Sequence, residues 1–371
     1  MHLPSFKLER YFARYEFNVE YLLCASDCET TSVQELLDLE PGATERLQGL
    51  RLGYTESPGS PELRQAIAGM YKTIQPEEVL VFSGAEEAIF VFMHAHLRPG
   101  DHVIVHWPCY QSLYAVAQAL ECDVSAWVGN EFEGWRLDLT QLYDLLRPNT
   151  RAIILNTPHN PTGYLMPAHE FLDLNFLAKE LDVVLFSDEV YRESEHDPAT
   201  RLPAACDMNE KALSLGVLSK SYGLPGLRIG WIATHDTELY RKLARLKDYT
   251  TICNSAPSEL LAEVAVRHRE ELASRNVARI RRNMDLLNAF FSRYPEKLSW
   301  QPPIAGPIAF PRLLQGDIEA FCDQLVKDTG VLLLPGTVYE DMLNHFRLGF
   351  GRENMPAALE RFEDWLTDWK P

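Results

Sequence analysis

The sequence predicts an α/β protein: a mostly parallel sheet with helices on its faces, followed by a second, smaller domain of mixed α and β structure. Three observations carry that reading. Five short apolar runs, EEVLVFSG (77–84), DHVIVHWP (101–108), RAIILNTP (151–158), VVLFSDE (183–189) and ALSLGVLSK (212–220), have the length and β-branched content of buried strands, and each ends in polar or glycine residues. Helix-like stretches, AEEAIFVFMHAHL (85–97) and YQSLYAVAQAL (110–120), lie between them, with apolar residues recurring at three and four. At 371 residues, 46% hydrophobic and 24% charged, the chain is longer than the roughly 250–300 residues at which single cores stop growing and chains divide.

In chain order, residues 1–44 show no strand–helix alternation and are expected to pack on the smaller domain or on a partner subunit. Residues 45–260 hold the alternating pattern, and strand followed by helix followed by strand means parallel pairing. In such sheets ligands sit at the carboxyl ends of the strands. From about residue 258 a long, charged helical stretch (ELLAEVAVRHREELASRNVARIRRNMDLLNAFFSRY) predicts a connecting helix into the smaller domain, which takes in residues 261–371. No internal repeat, low-complexity block or Gly/Ser linker divides the chain.

Charge and composition exclude several classes of function. Lys+Arg number 35 against 53 Asp+Glu, and the net charge of −18 repels nucleic-acid backbones and anionic lipid. No run approaches the ~20 apolar residues of a membrane helix, and the start, MHLPSFKLERYFARYEF, carries charges where a signal peptide needs an apolar stretch. The expectation is a soluble, cytoplasmic protein with neither a nucleic-acid nor a membrane partner. Seven cysteines are scattered without CxxC pairs, so reduced thiols and no metal are expected.

The unusual residues fall at strand ends. Ser219 and Lys220 close ALSLGVLSK, and the glycine- and proline-punctuated loop that follows delivers Arg228 eight residues after the lysine. A single lysine there would ordinarily snorkel to water. Here others converge with it. Asp188 ends VVLFSDE with Tyr191 three residues on, Asn160 sits in the turn TPHNPTG, and SGAEEA sets Gly84, Ala85 and Glu86 at a helix start whose free N–H groups suit a phosphate. Each type meets a need of pyridoxal phosphate (PLP): an amine for the aldehyde, a carboxylate to keep the pyridine nitrogen protonated, and donors for the phenolic oxygen and phosphate.

On SKSYGLPGLRIG, HNPTG and SDEVY, in that family's order and spacing, nearly the whole chain resembles the class I/II aminotransferases of the aspartate aminotransferase superfamily, fold-type I PLP enzymes. The resemblance implies a large domain with a seven-stranded, mostly parallel sheet. Lys220 would be the lysine that holds the cofactor and shuttles the proton, Asp188 the partner of the pyridine nitrogen, and Tyr191 and Asn160 the partners of the phenolic oxygen. Tyr110, in WPCY, would stack on the ring. Gly84, Ala85, Glu86, Ser219 and Arg228 would lie on the phosphate side, and Tyr54, in GYTESPGSPELR, would reach the phosphate of a neighbouring subunit, which makes a homodimer. Arg347, in FRLGF, would grip the substrate α-carboxylate, with Asn160 beside it.

The chain departs from the family pattern twice. Val217 stands where a phosphate-binding Ser or Thr is usual, and CASDCETTS, around Ser26 and Asp27, lacks the usual glycine–proline signature. GVLSKSYGLPGLRIGW, KDYTT, IAFPR and GVLLLPG are similar to a subgroup that includes capreomycidine synthase, a PLP enzyme that cyclises a modified arginine. The activity implied is transfer of an amino group between an amino acid and a 2-keto acid, with cyclisation or a carbon–sulfur lyase reaction as the alternative on the same residues. A PLP-binding regulator would need a basic DNA-binding module, which −18 contradicts.

Overall fold

The computed structural model describes residues 2–370. Seven strands form one sheet: β1 (Val79–Phe82), β2 (His102–Trp107), β3 (Asp123–Val128), β4 (Thr150–Asn156), β5 (Val184–Asp188), β6 (Ala212–Val217) and β7 (Gly230–Ala233), in the order β1-β7-β6-β5-β4-β2-β3. Only β7 runs against its neighbours, pairing antiparallel with both β1 and β6, so the other six point the same way. β1, β4, β5 and β6 are buried almost throughout, because helices cover both faces, and this is why they read as continuous apolar runs.

The sequence pattern missed two strands. β3 is an edge strand with one fully buried side chain, Trp127, so DVSAWV lacks the apolar run of its neighbours. β7 lies inside what reads as a glycine-rich loop. It is held by close packing: a Cβ on Gly216 of β6 would sit 2.4 Å from the Trp231 ring, and one on Gly230 would sit 2.8 Å from the backbone of Ala85.

One face of the sheet buries Phe82, Val105, Ile154, Phe186 and Leu215 against helices Ala85–His96, Ser112–Ala119 and Thr237–Lys247. The other buries Ile104, Ile153, Leu155 and Leu185 against helix Ala168–Glu180. A separate core gathers around Ile280, Leu287, Phe290, Phe321, Leu348 and Phe362. It includes the short strands β8 (Leu298–Ser299), β9 (Ile308–Ala309), β10 (Arg312–Leu313) and β12 (Phe346–Gly349), with helices Ile318–Thr329 and Met355–Asp368, while β11 (Leu334–Pro335) pairs with β12 and turns Leu334 toward the core on the sheet's second face.

The expected single connecting helix is two, Ala256–Arg267 and Arg269–Arg293, broken at His268 (φ −104°, ψ 19°). The break redirects the chain. The first helix buries Leu261, Val264 and Ala265 against helix Pro61–Ala68, and the second carries Ile280, Leu287 and Phe290 into the other core. A continuous 3.6-residue period cannot signal such a turn.

The N-terminal segment joins the two bodies. Helix Lys7–Tyr15 sends Leu8 into the sheet's core, Tyr11 donates to the Leu333 carbonyl (2.9 Å), Tyr21 bridges to Val331, and Leu23 and Cys28 join the separate core. Among the described residues no helix is long and apolar enough to cross a membrane. The seven cysteines are free thiols, and no described group of His, Cys, Asp or Glu could hold a metal ion.

Candidate active site

A cavity of about 320 Å³ opens at the carboxyl ends of the sheet, where Asn156, Asp188 and Val217 are the last residues of β4, β5 and β6. The strands deliver the chemistry. Beyond β6 the chain turns at once and places Ser219 and Lys220 in the wall, while Asn160, two residues short of the end of the turn PHNPT, returns over β4. The turn is fixed by the Asn156 side chain: its Oδ1 accepts from the Asn160 N–H (2.7 Å) and its Nδ2 donates to the Asp188 carbonyl (3.0 Å).

Asp188 is 5% exposed, and burial pushes its carboxyl up to about 7, against help from the Val190 N–H (3.2 Å to Oδ1) and from Lys220. The Lys220 amine donates to the Ser26 hydroxyl (2.9 Å), and burial holds it below the ordinary lysine value. Two buried hydroxyls stand in the wall: Ser219 Oγ has no hydrogen-bond partner among the described residues, and Tyr191 Oη faces the Ser26 hydroxyl without a bond of good geometry. Buried polar groups are almost always paired, so these hydroxyls are free to bond a molecule held in the cavity.

Arg347, on β12, is 1% exposed and fixed by three contacts: Nε to the Cys24 carbonyl (3.0 Å), Nη1 to Tyr339 Oη (2.5 Å) and Nη1 to Asn160 Oδ1 (3.3 Å). At the other end of the cavity Arg228 lies over Gly84, the residue before helix Ala85–His96. Gly84 has φ 85°, and a Cβ there would meet Arg228 Nη2 at 2.6 Å, so glycine alone lets the guanidinium reach the helix N-terminus. Ala85 and Glu86 occupy its first turn, where backbone N–H groups have no acceptor within the helix; the Glu86 carboxylate itself accepts from the Ser112 hydroxyl. Tyr110 packs on Phe6 with ring centroids 5.1 Å apart.

The structure thus gathers Lys220, Asp188, Tyr191, Asn160, Tyr110, Ala85, Glu86, Ser219, Arg228 and Arg347 on one cavity. Gly84 stands directly behind it. Tyr54 stands apart: it is 94% exposed and reaches nothing in its own chain's cavity. Val217 presents its apolar side chain to the wall. Sequence reasoning missed Asn156, Arg352 and the N-terminal face Leu8, Glu9, Phe12 and Glu16 on the cavity, and Tyr339 behind it, which bonds Arg347 and Asn160. Asn156 was legible as the polar end of RAIILN. The N-terminal face was not, since nothing local says that a helix at residue 7 will cover a cavity built 200 residues later.

The family model of class I and II aminotransferases matches residues 21–362. Capreomycidine synthase of Streptomyces vinaceus is 30% identical over 351 residues, covering 94% of this chain and 90% of its own. The crystal structure of a PLP-dependent aminotransferase from Streptococcus suis superposes with a TM-score of 0.94 at 31% identity over the full length of both chains. That of a PLP-dependent cyclase superposes with a TM-score of 0.91 at 31% identity, over 99% of this chain and 98% of the other. The chain belongs to the class I and II aminotransferase family and is a PLP-dependent enzyme with the fold of the fold-type I group. The cavity suits that cofactor: it offers a buried amine, a buried carboxyl, two buried hydroxyls, and a helix N-terminus with an arginine over it.

Proposed function

We propose that the protein is an aminotransferase that moves an amino group between an amino acid and a 2-keto acid. The observation that carries the reading is the convergence of the Lys220 amine and the buried Asp188 carboxyl on one cavity whose far wall holds Arg347. Bound PLP supplies an aldehyde carbon and an electron-withdrawing ring. Lys220 would hold the cofactor through its amine, and with that amine free its Nζ would take the proton from the substrate α-carbon. Asp188, whose carboxyl burial raises to about 7, would face the pyridine nitrogen and favour its protonated form. Tyr191 and Asn160 would hold the phenolic oxygen, and Tyr110 would cover the ring face. Ser219, Arg228 and the N–H groups of Ala85 and Glu86 would hold the phosphate, with Ser219 acting in place of the hydroxyl that Val217 lacks. Arg347, already rigid, would fork its remaining donors to the α-carboxylate.

The decisive experiment mixes the PLP-loaded protein with single amino acids and follows its visible absorbance. An aminotransferase stalls after one turnover, in the pyridoxamine phosphate state, until a keto acid is added. Lys220→Ala should lose both the visible band and the turnover; turnover within tenfold of wild type would sink the assignment of the lysine. Cyclisation is the second reading, favoured by the likeness to capreomycidine synthase and to a PLP-dependent cyclase. It predicts repeated turnover of an amino acid with no keto acid present.

A further inference from the structure

The segment 23–29, where the chain lacks the expected glycine–proline signature, supplies a group that the reading above does not use. Ser26 Oγ accepts a hydrogen bond from Lys220 Nζ at 2.9 Å, across 194 residues of sequence. The hydroxyl is held there by an unusually tight seat. The Gly349 N–H donates to the Leu23 carbonyl (3.0 Å), Arg347 Nε to the Cys24 carbonyl (3.0 Å) and the Glu29 N–H to the Gly351 carbonyl (2.9 Å). A Cβ on Gly349 would sit 2.0 Å from the Ala25 carbonyl oxygen, and one on Gly351 would sit 2.5 Å from that of Asp27, so both glycines are needed for the loop to lie so close. Asp27, next in sequence, is clamped by Arg352 Nη2, which donates to both carboxylate oxygens at 2.8 Å.

We propose that Ser26 is a positioning residue for Lys220: a hydroxyl that holds the lysine amine on its side of the cavity, in place for proton transfer, whenever that amine is free of the cofactor. The inference rests on Lys220 being the lysine that binds PLP. Its physical basis is simple. A rigidly mounted acceptor fixes the direction of a long, flexible side chain that otherwise has several rotamers to choose from. The charged groups facing Lys220 do not do this work. Asp27 is committed to Arg352, Asp188 and Glu9 act at a distance, Glu16 lies on the neighbouring helix face, and Arg347 repels the ammonium. A hydroxyl oxygen that accepts from the ammonium favours its protonated form, so removing it lowers the lysine's pKa.

The test uses the full chain loaded with pyridoxamine 5′-phosphate, in which Lys220 is free. An amine acylating reagent is applied across a pH series, and modification of Lys220 is read by mass spectrometry. Ser26→Ala should move the labelling midpoint down by about one pH unit, the size expected for one hydrogen bond to a charged group. Ser26→Thr, which keeps the hydroxyl, should restore it. In a half-reaction with α-deuterated substrate, Ser26→Ala should raise the primary isotope effect while Ser26→Thr leaves it near wild type. A Ser26→Ala midpoint equal to wild type, or a Ser26→Thr midpoint displaced as far as that of Ser26→Ala, overturns the proposal. Should Ser26→Ala fold poorly, Ser26→Gly is read against the same criteria. Borohydride reduction of the PLP-loaded wild type, followed by peptide mapping, separates the two levels. A label elsewhere than Lys220 defeats the functional reading, whereas a label on Lys220 with unmoved midpoints defeats only the role of Ser26.

Discussion

Asp188 and Lys220 face opposite consequences of the same burial. The carboxyl is raised to about 7 and the amine lowered, each toward its neutral form. For Asp188 the stability argument has a definite sign. Above about pH 4 the unfolded chain releases this proton while the folded chain keeps it to about 7, so folding stability from this group falls as pH rises from 4 to 7 and stays reduced above. In the chain without cofactor, Asp188→Asn should therefore be more stable than wild type at pH 8, by a few kcal/mol with about 4 as the ceiling, and equal to it near pH 4. Denaturant melts at the two pH values check this. In the loaded enzyme the same change should leave PLP bound and slow α-proton removal steeply, because an amide does not keep the ring nitrogen protonated; an unchanged single-turnover rate would mean that another group supplies the charge.

At the scale of elements, two helices set the ends of the cavity. Helix Ala85–His96 begins at Gly84, where positive φ and the contact with Arg228 leave no room for a side chain. Gly84→Ala should weaken PLP binding tenfold or more, measured by equilibrium dialysis, with little change in secondary structure by circular dichroism. Helix Lys7–Tyr15 sets the other end. Glu9, Phe12 and Glu16 at i, i+3 and i+7 line the cavity from one helix face, and among the described residues neither carboxylate has an ion-pair partner. Burial and repulsion from Glu9 and Asp27 raise the Glu16 carboxyl. A donor with a cationic side chain relieves that repulsion. Glu16→Gln should raise KM for such donors several-fold while leaving neutral ones unchanged. Steady-state comparison of the two classes decides it. These elements were unequally legible. SGAEEA announced the first helix because a glycine before acidic, then apolar, residues is a local signal. The second helix was recognisable neither as a helix nor as a cavity wall, and β7 was hidden because its four residues are specified by Trp231 packing on Gly216 rather than by their own pattern.

At the scale of the molecule, the single chain leaves Tyr54, Leu52 and Tyr249 at 94%, 83% and 85% exposure, with Ile252 half uncovered beside them. We propose that a second copy covers these residues and that Tyr54 completes the partner's phosphate site, making the working unit a homodimer. Mixing two inactive variants, one altered at Tyr54 and its loop and the other Lys220→Ala, should restore part of the activity after subunit exchange, since one of the two hybrid sites then carries neither defect. A mixture as inactive as its parents, with exchange demonstrated, would leave each chain building its site alone. We also propose residues 45–260 and 261–371 as domains with 1–44 packed across them, a division that limited proteolysis would map.

The sequence by itself determined the α/β class, the common direction of five of the strands implied by strand–helix alternation, and the cavity-lining set Lys220, Asp188, Tyr191, Asn160 and Arg228. All of these lie in local signals at strand ends, where apolar runs stop and chemistry begins. Only the tertiary structure decided what faces that set. It broke the connecting stretch at His268, folded the N-terminal helix over the cavity, and seated Ser26 against Lys220 by docking residues 23–29 onto β12. Such contacts join residues about 200 to 320 positions apart. They are set by which backbones can approach closely enough, through Gly349 and Gly351, and no periodicity or motif within a short window records that.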